Sequence, residues 1–168
     1  MARTNDSDHF PTQQELKELA GRLVAGQTTM TLATAKGDEA WAAPVYYVYV
    51  KSAFYFLSSP SSRHIKETLH SGQASATLYA SASTWTEIRG LQMTGCIRAA
   101  DGKFEAMQVL REYLKKYPFT KDFFKKNVAP DLKMLSERFG VKLYKFIPTL
   151  VYYLDNQIQF AFRAEVQF

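Results

Sequence analysis

The stretch VYYVYVKSAFYFLSSPSSRHI, Val45 to Ile65, decides the fold. Through Leu57 it is dense in Val, Tyr and Phe and broken only by Lys51-Ser52, so it reads as two strands around a tight turn. Then the chemistry changes: Ser58, Ser59, Ser61 and Ser62 surround Pro60, and Arg63-His64 opens a new segment. A strand running into hydroxyls and a helix that starts with a cation can form a phosphate pocket, because hydroxyls, free helix N–H groups and a guanidinium all donate to phosphate. The same residues also suit a solvated connection in which a serine caps the helix.

Upstream, TTMTLAT (Thr28–Thr34) is rich in β-branched residues, KGD (Lys36–Asp38) is a turn, and WAAPVYYVYV (Trp41–Val50) reads as one long strand. Pro44 within it belongs at an edge, a bulge or a break in the ladder. Thr12 and Glu15 have capping-box spacing, and Leu16, Leu19, Ala20, Leu23 and Val24 follow at helical period, with a stop at Gly26. Downstream, SRHIKETLHSG reads as a short helix ended by Gly72, and QASATLYAS and EIRGLQMTGCIRAA as strands. Helical spacing returns from Lys103 to Tyr117 and from Pro130 to Phe139. VKLYKFIPTLVYYLD and QIQFAFRAEV close the chain as a strand pair joined at Asp155-Asn156. These elements predict a mainly β chain with helices (α+β), a small antiparallel barrel forming a single domain over residues 1–168. Residues 1–10 read as a flexible tail and residues 103–140 as a helical insertion.

With 46% hydrophobic and 22% charged residues among 168, the composition is globular. A formal charge of +5 favours anionic ligands without singling one out. A lone cysteine, Cys96, allows no internal disulfide, and the first residues lack a signal-type apolar segment, so the expectation is a cytoplasmic protein with no membrane association. No nucleophile elbow, dinucleotide fingerprint or Walker loop occurs. His64 and His70 do not share a helix face, and with no Cys pair beside them no metal site is expected. Lys115–Asn127 interleaves lysines with aromatics, but Asp122 and the absence of arginine favour a helix end with solvated lysines over a nucleic-acid surface. Gln92 and Gly90 share one sheet face, where a missing side chain leaves room for something flat beside an amide.

Taken in order, TLAT, APVYYVY, FYFLSSPSSRHI and IRGLQMTG resemble the pyridoxamine 5′-phosphate oxidase-like, FMN-binding split-barrel superfamily over roughly residues 28–100, with a weaker match at FAFRAEV. The resemblance implies a six-stranded antiparallel split β-barrel that forms a homodimer, with FMN in clefts at the interface. It places Ser58, Ser59, Ser62, Arg63 and His64 around the flavin phosphate, with His64 where a lysine is common. Thr31, Ala33, Thr34, Pro44, Val45 and Tyr46 would line the ring and ribityl chain, Gln92 would reach the same group, and Arg163 of the last strand would cover the partner's flavin. The implied activity is FMN-dependent oxidoreduction with an unknown substrate. The alternative on this scaffold is a non-catalytic flavin- or haem-binding dimer. The arginine and lysine that the dedicated oxidase carries in its R-x-x-L-L-K-type strand are absent from APVYYVYV, which points away from vitamin-B6 oxidation.

Overall fold

A computed structural model describes residues 10–123 and 131–168. The chain enters through α1 (Gln13–Gly26), whose capping box is formed: the Thr12 side chain accepts from the Glu15 N–H, and Glu15 Oε2 accepts from the Thr12 N–H at 2.8 Å. The helix ends on Gln27 in an extended conformation, just after Gly26. Its apolar stripe, Leu16, Ala20, Leu23 and Val24, is buried in the main core with Met30, Leu32, Phe54, Phe56, Leu91 and Phe146.

The strands are β1 (Thr29–Lys36), β2 (Glu39–Tyr46), β3 (Val48–Val50), β4 (Ala53–Ser58), β5 (Ala74–Tyr79), β6 (Arg89–Ala99), β7 (Lys142–Asp155) and β8 (Arg163–Glu165). Every pairing is antiparallel, in the order β2-β1-β5-β6-β7-β4-β3, with β8 on β7. The two ends of this path, β2 and β3, are separated in the chain by Tyr47 alone. The run expected as one strand therefore bends at Tyr47 and serves both ends of a curled sheet. Counted as one bent strand, β2 and β3 leave the expected six-stranded split barrel, with β8 added.

The bend is fixed from outside the sheet. The Tyr117 hydroxyl accepts from the Tyr47 N–H (3.2 Å) and shares its single proton between the Tyr47 and Thr28 carbonyls (2.5 and 2.7 Å), while the Tyr47 hydroxyl donates to the Val24 carbonyl at 2.7 Å. These bonds satisfy backbone groups that the ladder abandons at the bend. Pro44 lies in β2, at one end of the sheet path, where a missing N–H costs no ladder bond on its free side. Lys51 and Ser52 both adopt positive φ (48° and 60°), as a two-residue turn between β3 and β4 requires.

The final strand pair needs correction. Only Arg163–Glu165 pairs with β7, and residues 156–162 form a loop. Asp155 Oδ1 accepts from the Gln157 N–H (2.9 Å) and Asn156 Oδ1 from the Ala161 N–H (3.0 Å), so side-chain acceptors replace the ladder there. The remaining helices are α2 (Arg63–Ser71), α3 (Lys103–Lys116) and α4 (Leu132–Phe139), with a short 3-10 helix at Trp85–Glu87 and a 3-10 turn at Pro118–Phe123. A second, smaller core joins Val109, Tyr113 and Tyr117 to Val48, Tyr55 and Leu143. Residues 1–9, within the expected tail, lie outside the described residues, as do residues 124–130, which include Pro130 of the expected helix and the end of the lysine–aromatic stretch. Among the described residues no helix is long and apolar enough to cross a membrane.

Candidate functional site

β4 delivers Ser58 to the start of α2, and the serine turn folds back on itself. Ser58 Oγ, buried, lies 2.8 Å from His64 Nε2 and 3.1 Å from Ser62 Oγ. Ser62 occupies the N-cap position without capping; its hydroxyl donates to the Ser59 carbonyl at 2.8 Å. Ser59 and Ser61 lie further out, with hydroxyls 2.8 Å apart. The turn thus has an inner cluster of Ser58, Ser62 and His64 and an outer pair of hydroxyls beside a helix start that no side chain caps.

Its charges are compensated. Arg63 Nε donates to Glu67 Oε1 at 2.6 Å, another guanidinium nitrogen donates to Glu39 at 2.9 Å, and the guanidinium carbon lies 4.9 Å from the centre of the Trp41 ring. Glu67 also accepts from the Thr34 hydroxyl at 2.5 Å. That hydroxyl first, then Arg63, holds the Glu67 carboxyl below its ordinary range, and Glu67 in turn raises the Arg63 guanidinium. Burial pushes His64 down, only partly opposed by Glu67, so its ring is neutral near pH 7. The cation that the sequence offers to a phosphate is already paired with two carboxylates, one of them the exposed Glu39.

Sheet parity sorts the other predicted residues. Thr31, Ala33, Pro44 and Tyr46 point to the outer side of β1 and β2; Thr34 and Val45 are buried on the opposite face, Thr34 bonded to α2 and Val45 in the core. One register row crosses the sheet as Pro44, Thr31, Thr77, Gln92 and Tyr152, reaching Glu165 on β8. The neighbouring row runs Ala42, Ala33, Ser75, Thr94 and Leu150. Arg163 stands opposite Leu154, itself opposite Gly90, so it edges the same face. From Pro44 to Tyr152 this face carries no charge, although much of it is solvent-facing. Beside it, a cleft of about 750 Å³ is bounded by Ala33, Ser75, Thr94 and Cys96 and by the end of α2 at Ser71–Gln73.

Apart from Val45, which packs in the core, the predicted residues form two groups: Ser58, Ser59, Ser62, Arg63 and His64 with Thr34 at the turn, and Thr31, Ala33, Pro44, Tyr46, Gln92 and Arg163 on the outer face. Sequence reasoning missed Glu39 and Glu67, which neutralise the turn, and Ser75, Thr77 and Thr94, which fill the face. The Arg63/Glu67 spacing of four residues and the alternation in ASATLY were readable signals for part of this.

No protein-family model matches the chain. A UPF0306 protein of Klebsiella pneumoniae (strain 342) is 34% identical over 100 residues, which are 58% of this chain and 67% of that protein. Among solved structures, a Listeria innocua protein named for pyridoxamine 5′-phosphate oxidase superposes with a TM-score of 0.63 at 14% identity, covering 83% of this chain and 98% of the other. A Mesorhizobium loti FAD-binding protein gives 0.59 at 13% identity, over 80% and 90% of the two chains. HutZ, the heme storage protein of Vibrio cholerae, gives 0.62 at 16% identity, over 79% and 89%. At these identities the likeness is one of fold: the chain is a split barrel of the pyridoxamine 5′-phosphate oxidase-like type, a fold shared by flavin- and haem-binding proteins.

Proposed function

The chain belongs to the UPF0306 family, and we propose that on its split-barrel scaffold it binds FMN and serves as a flavin-dependent oxidoreductase. The observation that carries this reading is the uncharged row Pro44–Thr31–Thr77–Gln92, open to solvent on the outer face of the barrel. Such a row suits a planar heterocycle: small side chains let a ring lie close, and the hydroxyls and the Gln92 amide offer hydrogen bonds at its rim. It also suits a second copy of the barrel, since an uncharged face can be covered by a partner without burying an ion. The reading therefore includes a homodimer in which the two protomers enclose the flavin.

The turn fits the phosphate through neutral donors. Ser59 and Ser61 and the first amides of α2 are the donors, and Arg63 adds its charge when the exposed Glu39 gives way. A bound flavin supplies hydride or electron transfer, while this chain binds it, orients it and keeps water from one face.

The pairing of Arg63 with Glu39 and Glu67 favours a second reading, a non-catalytic protein that binds a flavin or haem without relying on a phosphate grip. Titration of the purified protein with FMN and with riboflavin separates the two. The enzyme reading expects micromolar FMN, weaker riboflavin, and Arg63→Ala lowering affinity for FMN alone. Equal affinities for the two flavins, unchanged in Arg63→Ala, or a Soret band on adding haemin with no flavin binding, would overturn it in favour of the second.

A further inference from the structure

Away from the serine turn, where α3, the 3-10 turn and α4 meet the barrel, lies a cavity of about 270 Å³. Its walls are mostly rings: Tyr46, Tyr117, Phe119, Phe123 and Phe139, with Leu135 among them. The rings contact one another in series, Tyr46 to Tyr117 at 5.2 Å between centroids, Phe119 to Phe123 at 6.1 Å and Phe123 to Phe139 at 5.0 Å, each pair edge to face.

Three of the four hydroxyls of the lining residues are taken up by backbone carbonyls, leaving that of the half-exposed Tyr46. The Tyr113 hydroxyl donates to the carbonyls of Tyr46 (2.7 Å) and Tyr55 (3.1 Å), that of Tyr117 to Thr28 and Tyr47, and that of Thr120 to the Tyr117 carbonyl at 2.6 Å. Among the described residues no charged side chain lines the cavity. A guest thus meets ring faces and edges and finds little to replace its own hydration. Ions and strongly hydrated molecules lose by entering, whereas a neutral aromatic gains from burial and from edge-to-face contact.

Size narrows the class further. An engineered apolar cavity of about 150 Å³ takes up benzene, and 270 Å³ accommodates two fused rings. Three of the walls, Tyr46, Phe119 and Phe139, are 52%, 49% and 45% exposed, so the space opens to solvent and a small molecule can reach it.

We infer that the cavity between α3, α4 and Tyr46 is a binding site for a neutral, planar aromatic compound of about two fused rings. The site goes beyond the flavin reading and does not depend on it; Tyr46, which also edges the outer face, is where the two would adjoin.

The test titrates full-length, flavin-free protein with PRODAN, a neutral naphthalene fluorophore whose emission shifts blue in apolar surroundings. Saturable one-site binding is expected, displaced by 2-methylnaphthalene and not by naphthalene-2-sulfonate. Val141→Trp fills the cavity from a half-buried position and should weaken binding by roughly tenfold or more, since the guest loses most of its buried ring area. Phe119→Ala removes one half-exposed wall and should weaken it less. Phe160→Ala, which removes an exposed ring paired with Trp85 outside the lining, should leave it unchanged. Absence of saturable binding, survival of binding in Val141→Trp, equal competition by the sulfonate, or loss in Phe160→Ala would each overturn the site. A separate FMN titration on the same samples keeps failure here distinct from failure of the flavin reading.

Discussion

The helices α2 and α3 both pin the barrel with side-chain hydrogen bonds, yet they leave opposite surfaces. Around α2, polar side chains bond mainly to one another: Ser58 to His64, Arg63 to Glu67 and Glu39, Thr34 to Glu67. At the C-terminal end of α3, Tyr113 and Tyr117 bond to backbone carbonyls of the bent strand and its neighbours, although Glu105 in the first turn of that helix pairs with Lys145 and Tyr55. Reciprocal side-chain bonding cancels charge but keeps a polar surface of hydroxyls and amides. Bonding to backbone turns the hydroxyl inward and leaves the ring face as surface. The first region can hold a polar group without a spare cation; the second can hold only something apolar.

The largest effect comes from breaking the frame on which both regions depend. At Gly95, beside the irregularity in the β6–β7 ladder, an added Cβ would lie 2.2 Å from the Ile147 carbonyl oxygen and 2.9 Å from Pro148 Cα. Gly95→Val should cost about 3 kcal/mol or more, because backbone must move to admit it. Chemical denaturation measures this, and a loss under 1 kcal/mol would show that the strands are not held so closely.

Next in size, Tyr117→Phe sharpens the contrast between the helices. It leaves the buried Tyr47 N–H without its acceptor and removes the one proton that two carbonyls share, so about 2 kcal/mol of stability should be lost. Tyr113→Phe removes only a donor to carbonyls, which tolerate under-satisfaction better, and should cost about 1 kcal/mol. Equal losses would mean that the bend at Tyr47 is not what Tyr117 secures.

The smallest effects are in pH dependence, and they differ between the regions. Lys116 Nζ lies 3.8 Å from the centre of the Tyr47 ring, and burial pulls its ammonium from 10.5 down to about 8. Its folded pKa lies below the unfolded one, so between those values the unfolded chain holds the proton and stability rises with pH. Relative to Lys116→Met, the wild type should gain about 1 kcal/mol across that window, discounted because the amine is only half-buried. At the turn, the same sign applies to His64, whose folded pKa lies below 6.5: stability should fall as the pH drops from 6.5 through the folded value, and less so in His64→Gln. Thermal melts across pH 5–10 check both ends; a flat difference between wild type and either variant would remove the burial argument for that residue.

Much of this was legible in local pattern. The capping box at Thr12, the period of Leu16–Val24, the alternation in β1 and β5, and Pro44 at a sheet edge depend on neighbours a few residues apart, and the structure follows them. The order of the quoted motifs carried the split-barrel fold. The last strand was overread because FAFRAE alternates like a strand while Asp155 and Asn156 supply turn acceptors that hold residues 156–162 as a loop.

The sequence by itself determined most of the elements and their order, because strand and helix periodicity report which side of a segment is buried, while the split barrel they make was implied by the resemblance of the ordered motifs. Tertiary structure alone decided that the strand bends at Tyr47 to join both ends of the sheet, held by a hydroxyl 70 residues away. It alone decided that Arg63 meets Glu39 across 24 residues, and that the rings of Tyr46, Phe119 and Phe139 surround a cavity. The physical reason is the same in each case: hydrogen bonds, ion pairs and ring contacts act over a few ångströms between segments remote in the chain, and local periodicity carries no information about which remote groups will meet.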